Sequence, residues 1–107
     1  MNAETGVSKY LISIVDDDES FREAMTSLMK SLGFAVEAFS SAEEFLASSR
    51  LADTSCLIAD VHMPGMTGIE LHQQLVSSGH TIPVILITAY PDEMPVLAPR
   101  PPESFAT

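Results

Sequence analysis

A single cysteine, Cys56, stands in this chain of 107 residues, so no internal disulfide can form. A lone thiol, with no signal-peptide pattern ahead of the first apolar run, makes a reducing cytoplasm the expected compartment. Basic residues are scarce as well. Five Lys and Arg face fifteen Asp and Glu, for a formal charge of −10. Nucleic acid backbones are gripped by clustered Lys and Arg, so this chain holds no nucleic acid through its own surface. A divalent cation or a basic partner suits such a surface better. Long apolar runs are missing too: all are under ten residues, against the roughly twenty that a bilayer-spanning helix needs, so no membrane span is expected.

What the chain does have is a core. Apolar residues make up 46% and charged residues 19%, a balance that argues for one globular domain able to fold without disulfide or metal. Residues 1–9 are polar and read as a flexible arm. The run YLISIV, rich in β-branched residues, then stops abruptly at Asp16, Asp17 and Asp18; it reads as a strand buried on both faces. Phe21, Ala24, Met25, Leu28, Met29 and Leu32 follow at helical spacing. Ser20 and Glu23 have the spacing of a capping box at the start of this helix, and Gly33 closes it.

The unit then repeats. FAVEAF is a second strand, and Ser41 with Glu44 opens a helix whose inner face is Ala42, Phe45, Leu46 and Ser49. SCLIAD is a third strand ending on Asp60. After the loop VHMPGM, Thr67 and Glu70 cap a third helix carrying Ile69, Leu71, Leu75 and Val76, and Gly79 ends it. IPVILITAY is a fourth strand. Strands alternating with helices predict right-handed crossovers and a doubly wound parallel α/β sheet, with strand order 2-1-3-4.

In such a sheet ligands gather outside the carboxyl ends of the strands. Asp16 and Asp17 follow strand one, Asp60 ends strand three, and Thr88 ends strand four on the same rim. Three carboxylates brought this close repel one another, which is tolerable if a cation sits among them or a proton is taken up. All-oxygen ligation with room for water suits Mg²⁺. Each single aspartate of DDDES also has a plain structural reading, since acids cap helix N-termini. Asp60 lacks that reading, because it precedes a Met-Pro loop rather than a helix. Of the remaining polar candidates, His62 reads as a solvent-facing loop residue rather than a metal ligand, His72 and His80 have no partner at ligand spacing, and Cys56 reads as a small buried apolar residue.

IVDDDES, LIADVHMPGMTGIEL and IPVILITAY together resemble a receiver domain of a two-component response regulator, in the branch similar to FixJ. The family pattern Asp-x-x-Met-Pro-x-x-x-Gly is present as Asp60, Met63, Pro64 and Gly68. The resemblance implies that Asp60 is the phosphoacceptor, taking a phosphoryl group from a sensor histidine kinase. It implies Mg²⁺ bound by Asp16, Asp17, Asp60 and the backbone carbonyl of His62, with Thr88 bonding to the phosphoryl group beside the small Ala89. It further implies a signalling domain that is not an enzyme beyond assisting its own phosphorylation and dephosphorylation.

The family pattern also calls for a fourth helix, a fifth strand ending in Lys-Pro and a fifth helix. In their place five of the seven prolines fall in the last 17 residues. The expected domain is therefore an incomplete receiver over residues 10–93, with a Pro-rich tail over 94–107 that does not follow the family. The only lysines, Lys9 and Lys30, belong at the far end of the sheet; Arg22, in the first turn of helix one, is the candidate substitute. Without a fifth strand, strand four becomes an apolar edge, so a homodimer or segment-exchanged oligomer through strand four and the tail is expected. Two other classes stand beside this one. A degenerate receiver would act as a phosphorylation-independent interaction domain. A haloacid-dehalogenase-type phosphatase also uses a strand-end aspartate and Mg²⁺, but its Asp-x-Asp-Thr/Val pattern does not match residues 16–20.

Overall fold

The structure is a computed structural model, and it describes residues 10–88. Four strands and three helices alternate in it: β1 (Leu11–Val15), α1 (Glu19–Ser31), β2 (Ala35–Phe39), α2 (Ala42–Leu46), β3 (Cys56–Asp60), α3 (Gly68–Ser77) and β4 (Val84–Ile87). A short 3-10 turn at Leu51–Asp53 leads into β3. All pairings are parallel, in the order β2-β1-β3-β4. The expected doubly wound sheet is thus the observed one. The arm before Tyr10, the Pro-rich tail, Lys9 and Ala89 lie outside the described residues.

The continuous apolar run of β1 is buried at every position, because the sheet is packed on both sides. On one side Val15, Leu57 and Ala59 meet Phe45 of α2 and Leu71 and Leu75 of α3. Phe45 is fully buried and its ring stands edge-on to Phe39 at 5.4 Å between centroids. Burying such a side chain contributes about 1.5–3 kcal/mol. On the other side Ile12, Ile14 and Ile58 pack against Met25 and Met29 of α1. Ser13, buried in the middle of β1, exchanges a 2.7 Å hydroxyl contact with Thr54, which satisfies both groups where water is absent.

Several element ends differ from expectation. Asp18, not Ser20, is the N-cap of α1: its Oδ1 accepts from the amides of Ser20 and Phe21. Both residues suit the position, but the chain leaves the extended conformation at Asp18, so Ser20 is already helical. Ser41 caps α2 as expected, whereas Glu44 returns to the Ser40 amide and hydroxyl rather than to Ser41. This helix stops at Leu46, which leaves Ser49 exposed and outside its inner face. Thr67 and Glu70 form the reciprocal box at the start of α3. Gly33 and Gly79 take φ of +96° and +87° just past the ends of α1 and α3, the left-handed conformation that terminates helices.

The apolar stripe of α1 is only partly used. Met25 and Met29 turn toward the sheet, while Ala24, Leu28 and Leu32 stay exposed and no residue of the helix is fully buried. Val76 of α3 likewise faces outward. The row Ile14, Ile58, Ile85 runs across β1, β3 and β4 in register. Its exposure rises from 0% to 5% to 51%, so among the described residues the cover on the α1 side ends between β3 and β4. No described helix is long and apolar enough to cross a membrane.

Candidate functional site

Register decides where the acids meet. Val15 pairs with Ala59, so the next residues along, Asp16 and Asp60, stand level on adjacent strands. Alternation along each strand puts both on the α1 face of the sheet, and Asp60 is in register with Ile87 of β4. The three acids Asp16, Asp17 and Asp60 each offer a carboxylate oxygen, and these oxygens lie within 4.8 Å of one another. They line an open cavity of about 500 Å³ together with Asp18, Phe21, His62, Ile87 and Thr88.

Each acid is held differently. Asp16 extends the β1 ladder by donating its amide to Phe39 O at 3.1 Å, and its Oδ1 accepts the Asp18 amide at 2.8 Å. It is buried, with 5% exposure. That burial pushes its carboxyl above the ordinary range, and the charges of Asp60, Asp17 and Asp18 push the same way, against the lowering effect of the Asp18 amide. Asp17 is exposed, whereas Asp60 is half-buried and its Oδ1 accepts the His62 amide at 3.1 Å. Asp18 is occupied as the helix cap. The plain structural reading of DDDES therefore accounts for Asp18 alone.

The loop after Asp60 is pinned from several sides. Val61 donates its amide to Ile87 O at 2.8 Å, and Gly68 donates to Val61 O at 3.2 Å. Gly65 has φ of +74°, which a side chain would strain. Gly68 presses on the backbone carbonyl of Asp60, where a Cβ would collide. The Met66 amide donates to Glu43 Oε2 of α2 at 3.3 Å, a contact across 23 positions that no local pattern announces.

All five sequence candidates, Asp16, Asp17, Asp60, His62 and Thr88, come together at this cavity. His62 is not solvent-facing as expected. It is half-buried, with Nε2 shielded from solvent, and the residue lines the cavity. Arg22 is not among the described residues lining the cavity; its Nη1 donates instead to the Asp16 carbonyl at 2.7 Å. Lys30 sits in the last turn of α1, about 18 Å along the helix axis from Asp18 at 1.5 Å per residue. Cys56 is half-buried and its thiol is pushed up by that burial, in keeping with a packing role. Phe21, read in the sequence only as part of the apolar stripe of helix one, lines the cavity as well.

The sequence model for the response regulator receiver domain matches residues 12–98. The response regulator protein TodT of Pseudomonas putida is 44% identical over 82 residues, covering 77% of this chain and 36% of TodT. The transcriptional regulatory protein FixJ of Azorhizobium caulinodans is 37% identical over 81 residues, covering 76% of this chain and 38% of FixJ. Among solved structures, the response regulator StyR superposes with a TM-score of 0.77 at 42% identity, covering 84% of this chain and 46% of StyR. The chain thus spans a little over a third of the length of these curated relatives.

Proposed function

This chain belongs to the response regulator receiver domain family, and from that premise we propose that it accepts a phosphoryl group on Asp60 from the phosphohistidine of a sensor kinase. The observation that carries the proposal is the meeting of three carboxylates from the ends of β1 and β3 within 4.8 Å. An arrangement so repulsive needs compensation, and its donors are all hard oxygens.

Mg²⁺ fits this set. Asp16, Asp17 and Asp60, with the backbone carbonyl of His62, are the residues that would hold it. When bound, the ion supplies charge neutralisation for the oxygens of the transferring phosphoryl group. Asp60 does the covalent work. Its Oδ1 takes the His62 amide, which orients the carboxylate and leaves the second oxygen as nucleophile. That oxygen forms the new P–O bond as the P–N bond to the donor histidine breaks, and the histidine nitrogen leaves with the electron pair. Thr88 lines the same cavity, where its hydroxyl donates to a phosphoryl oxygen. Gly68, having no Cβ, keeps the loop closed against the Asp60 carbonyl. Turnover of outside substrates forms no part of this role; the modified domain is itself the output, read by a partner.

The test is incubation with a small phosphodonor and Mg²⁺, followed by intact mass. A single phosphoryl adduct on the wild-type chain, absent from Asp60→Asn, is expected. Steady hydrolysis of a phosphomonoester would point to the phosphatase class, and no adduct with any donor would overturn the phosphoacceptor role.

A further inference from the structure

We propose that Arg22 is a positioning residue for the paired acids Asp16 and Asp17, setting the affinity of the site for a divalent cation; the inference rests on the Mg²⁺ reading above. Arg22 is half-buried in the first turn of α1. Its Nη1 reaches back six residues to donate to the backbone carbonyl of Asp16 at 2.7 Å, the short length of a charge-assisted bond. The peptide unit that carries this carbonyl also carries the amide of Asp17. Because that unit is planar, fixing its oxygen fixes the plane from which the Asp17 side chain departs.

Asp17 has need of such a constraint. Its carboxylate is exposed and takes no hydrogen bond among the described residues. Asp16 is already held by its amide to Phe39 O and by its Oδ1 to the Asp18 amide. The arginine adds the third point and passes the restraint on to its neighbour. The guanidinium's charge also acts weakly on the exposed Glu44, whose carboxylate accepts the Ser40 amide at 2.8 Å. Arg22 acts from behind the acids and touches neither the cavity nor a ligand in it.

Residues that orient metal ligands typically cost about 10–100-fold in affinity when removed. For Arg22→Ala in the full chain, the Mg²⁺ concentration that half-saturates the rise in thermal unfolding midpoint should increase about tenfold. Arg22→Lys should recover part of that loss, and the exposed neighbour Glu23→Ala should leave it unchanged. In metal-free buffer the amide resonances of Asp17 and Asp18 should move in Arg22→Ala, a signature that requires no ion. At saturating Mg²⁺ the rate of Asp60 labelling by a small phosphodonor should return toward wild type. An unchanged half-saturation in Arg22→Ala would overturn the proposal, as would a difference that vanishes in high salt, since the arginine would then be acting as a distant charge. If Arg22→Ala does not fold, Arg22→Gln, two bonds shorter and uncharged, carries the same expectations. A wild-type midpoint indifferent to Mg²⁺ would instead overturn the metal reading beneath it.

Discussion

Replacing Asp60 by asparagine should stabilise the metal-free protein and weaken its response to Mg²⁺. Two unit charges 4.8 Å apart, the outer limit for the oxygens of this cluster, repel by about 0.9 kcal/mol in water and about 3.5 kcal/mol at an effective dielectric near 20. Asp60→Asn removes the two repulsions that Asp60 makes, with Asp16 and with Asp17. Asp17 is exposed and free to swing away, so the gain belongs near the lower limit, about 1–2 kcal/mol. The asparagine Oδ1 still accepts the His62 amide, so the loop keeps its anchor. At about 4–8 °C per kcal/mol, the unfolding midpoint in chelator should rise by about 4–16 °C. With Mg²⁺ at a hundred times its dissociation constant, the wild-type chain should gain about 2.7 kcal/mol. The variant, short of one charged ligand, should gain clearly less, and the order of the two midpoints should narrow or reverse. Lowering the net charge could by itself stabilise so acidic a chain, so Asp53→Asn is the control. Asp53 forms only a surface pair with Arg50 at 3.8 Å, worth at most about 1 kcal/mol, and its loss should not raise the midpoint. A chelator midpoint for Asp60→Asn equal to or below wild type, with an unchanged Mg²⁺ increment, would refute the crowding argument.

Asp18→Ala should cost about 1 kcal/mol in urea unfolding by removing the α1 cap, and Ser20→Ala should cost much less; the opposite ranking would restore Ser20 as the cap. Gly68→Ala should destabilise by about 1–3 kcal/mol, because its Cβ runs into the Asp60 carbonyl and meets Leu86 at 3.2 Å, and Asp60 labelling should slow as the loop shifts. Stability should also depend on pH through Asp16. Its folded-state pKa is raised, chiefly by burial, so the folded chain binds the proton more tightly than the unfolded one, and the metal-free protein loses stability as pH rises from the unfolded value through the folded one. Midpoints of wild type and Asp16→Asn measured across acid to neutral pH in chelator should diverge in favour of the variant as pH rises; parallel curves would remove the burial argument.

Local grammar carried most of the fold. The apolar runs, the capping residues Ser41 and Thr67, and the glycines at 33 and 79 act within a few residues of themselves, and the structure uses each as read. Sequence was ambiguous where two residues suit one task, as with Asp18 and Ser20, and the conformation of a single backbone unit decided between them. It was also ambiguous where burial depends on what lies opposite. The stripe of α1 keeps helical spacing to its C-cap, yet Leu28 and Leu32 are about half exposed or more, at 48% and 61%, because the described sheet lies under only part of it. Contacts from α2 to the Met66 loop, and from Arg22 back to the carbonyl of Asp16, leave no periodic trace. They depend on how a loop closes rather than on which elements form.

The site itself was legible for a different reason: it follows from register. Asp16 and Asp60 become neighbours only because Val15 pairs with Ala59. A slip of one residue would turn Asp60 to the α3 face, where Ala59 and Leu57 now pack against Leu71 and Leu75. Such a slip would bury a charge among apolar side chains and expel isoleucines from the other face, a penalty far larger than the repulsion among three carboxylates at a solvated rim. The two core clusters therefore hold in place an arrangement that the acids alone would oppose. A site stabilised from below in this way is assembled by the fold itself. The cation proposed for this site would relieve a standing repulsion and need not bear the cost of gathering its ligands.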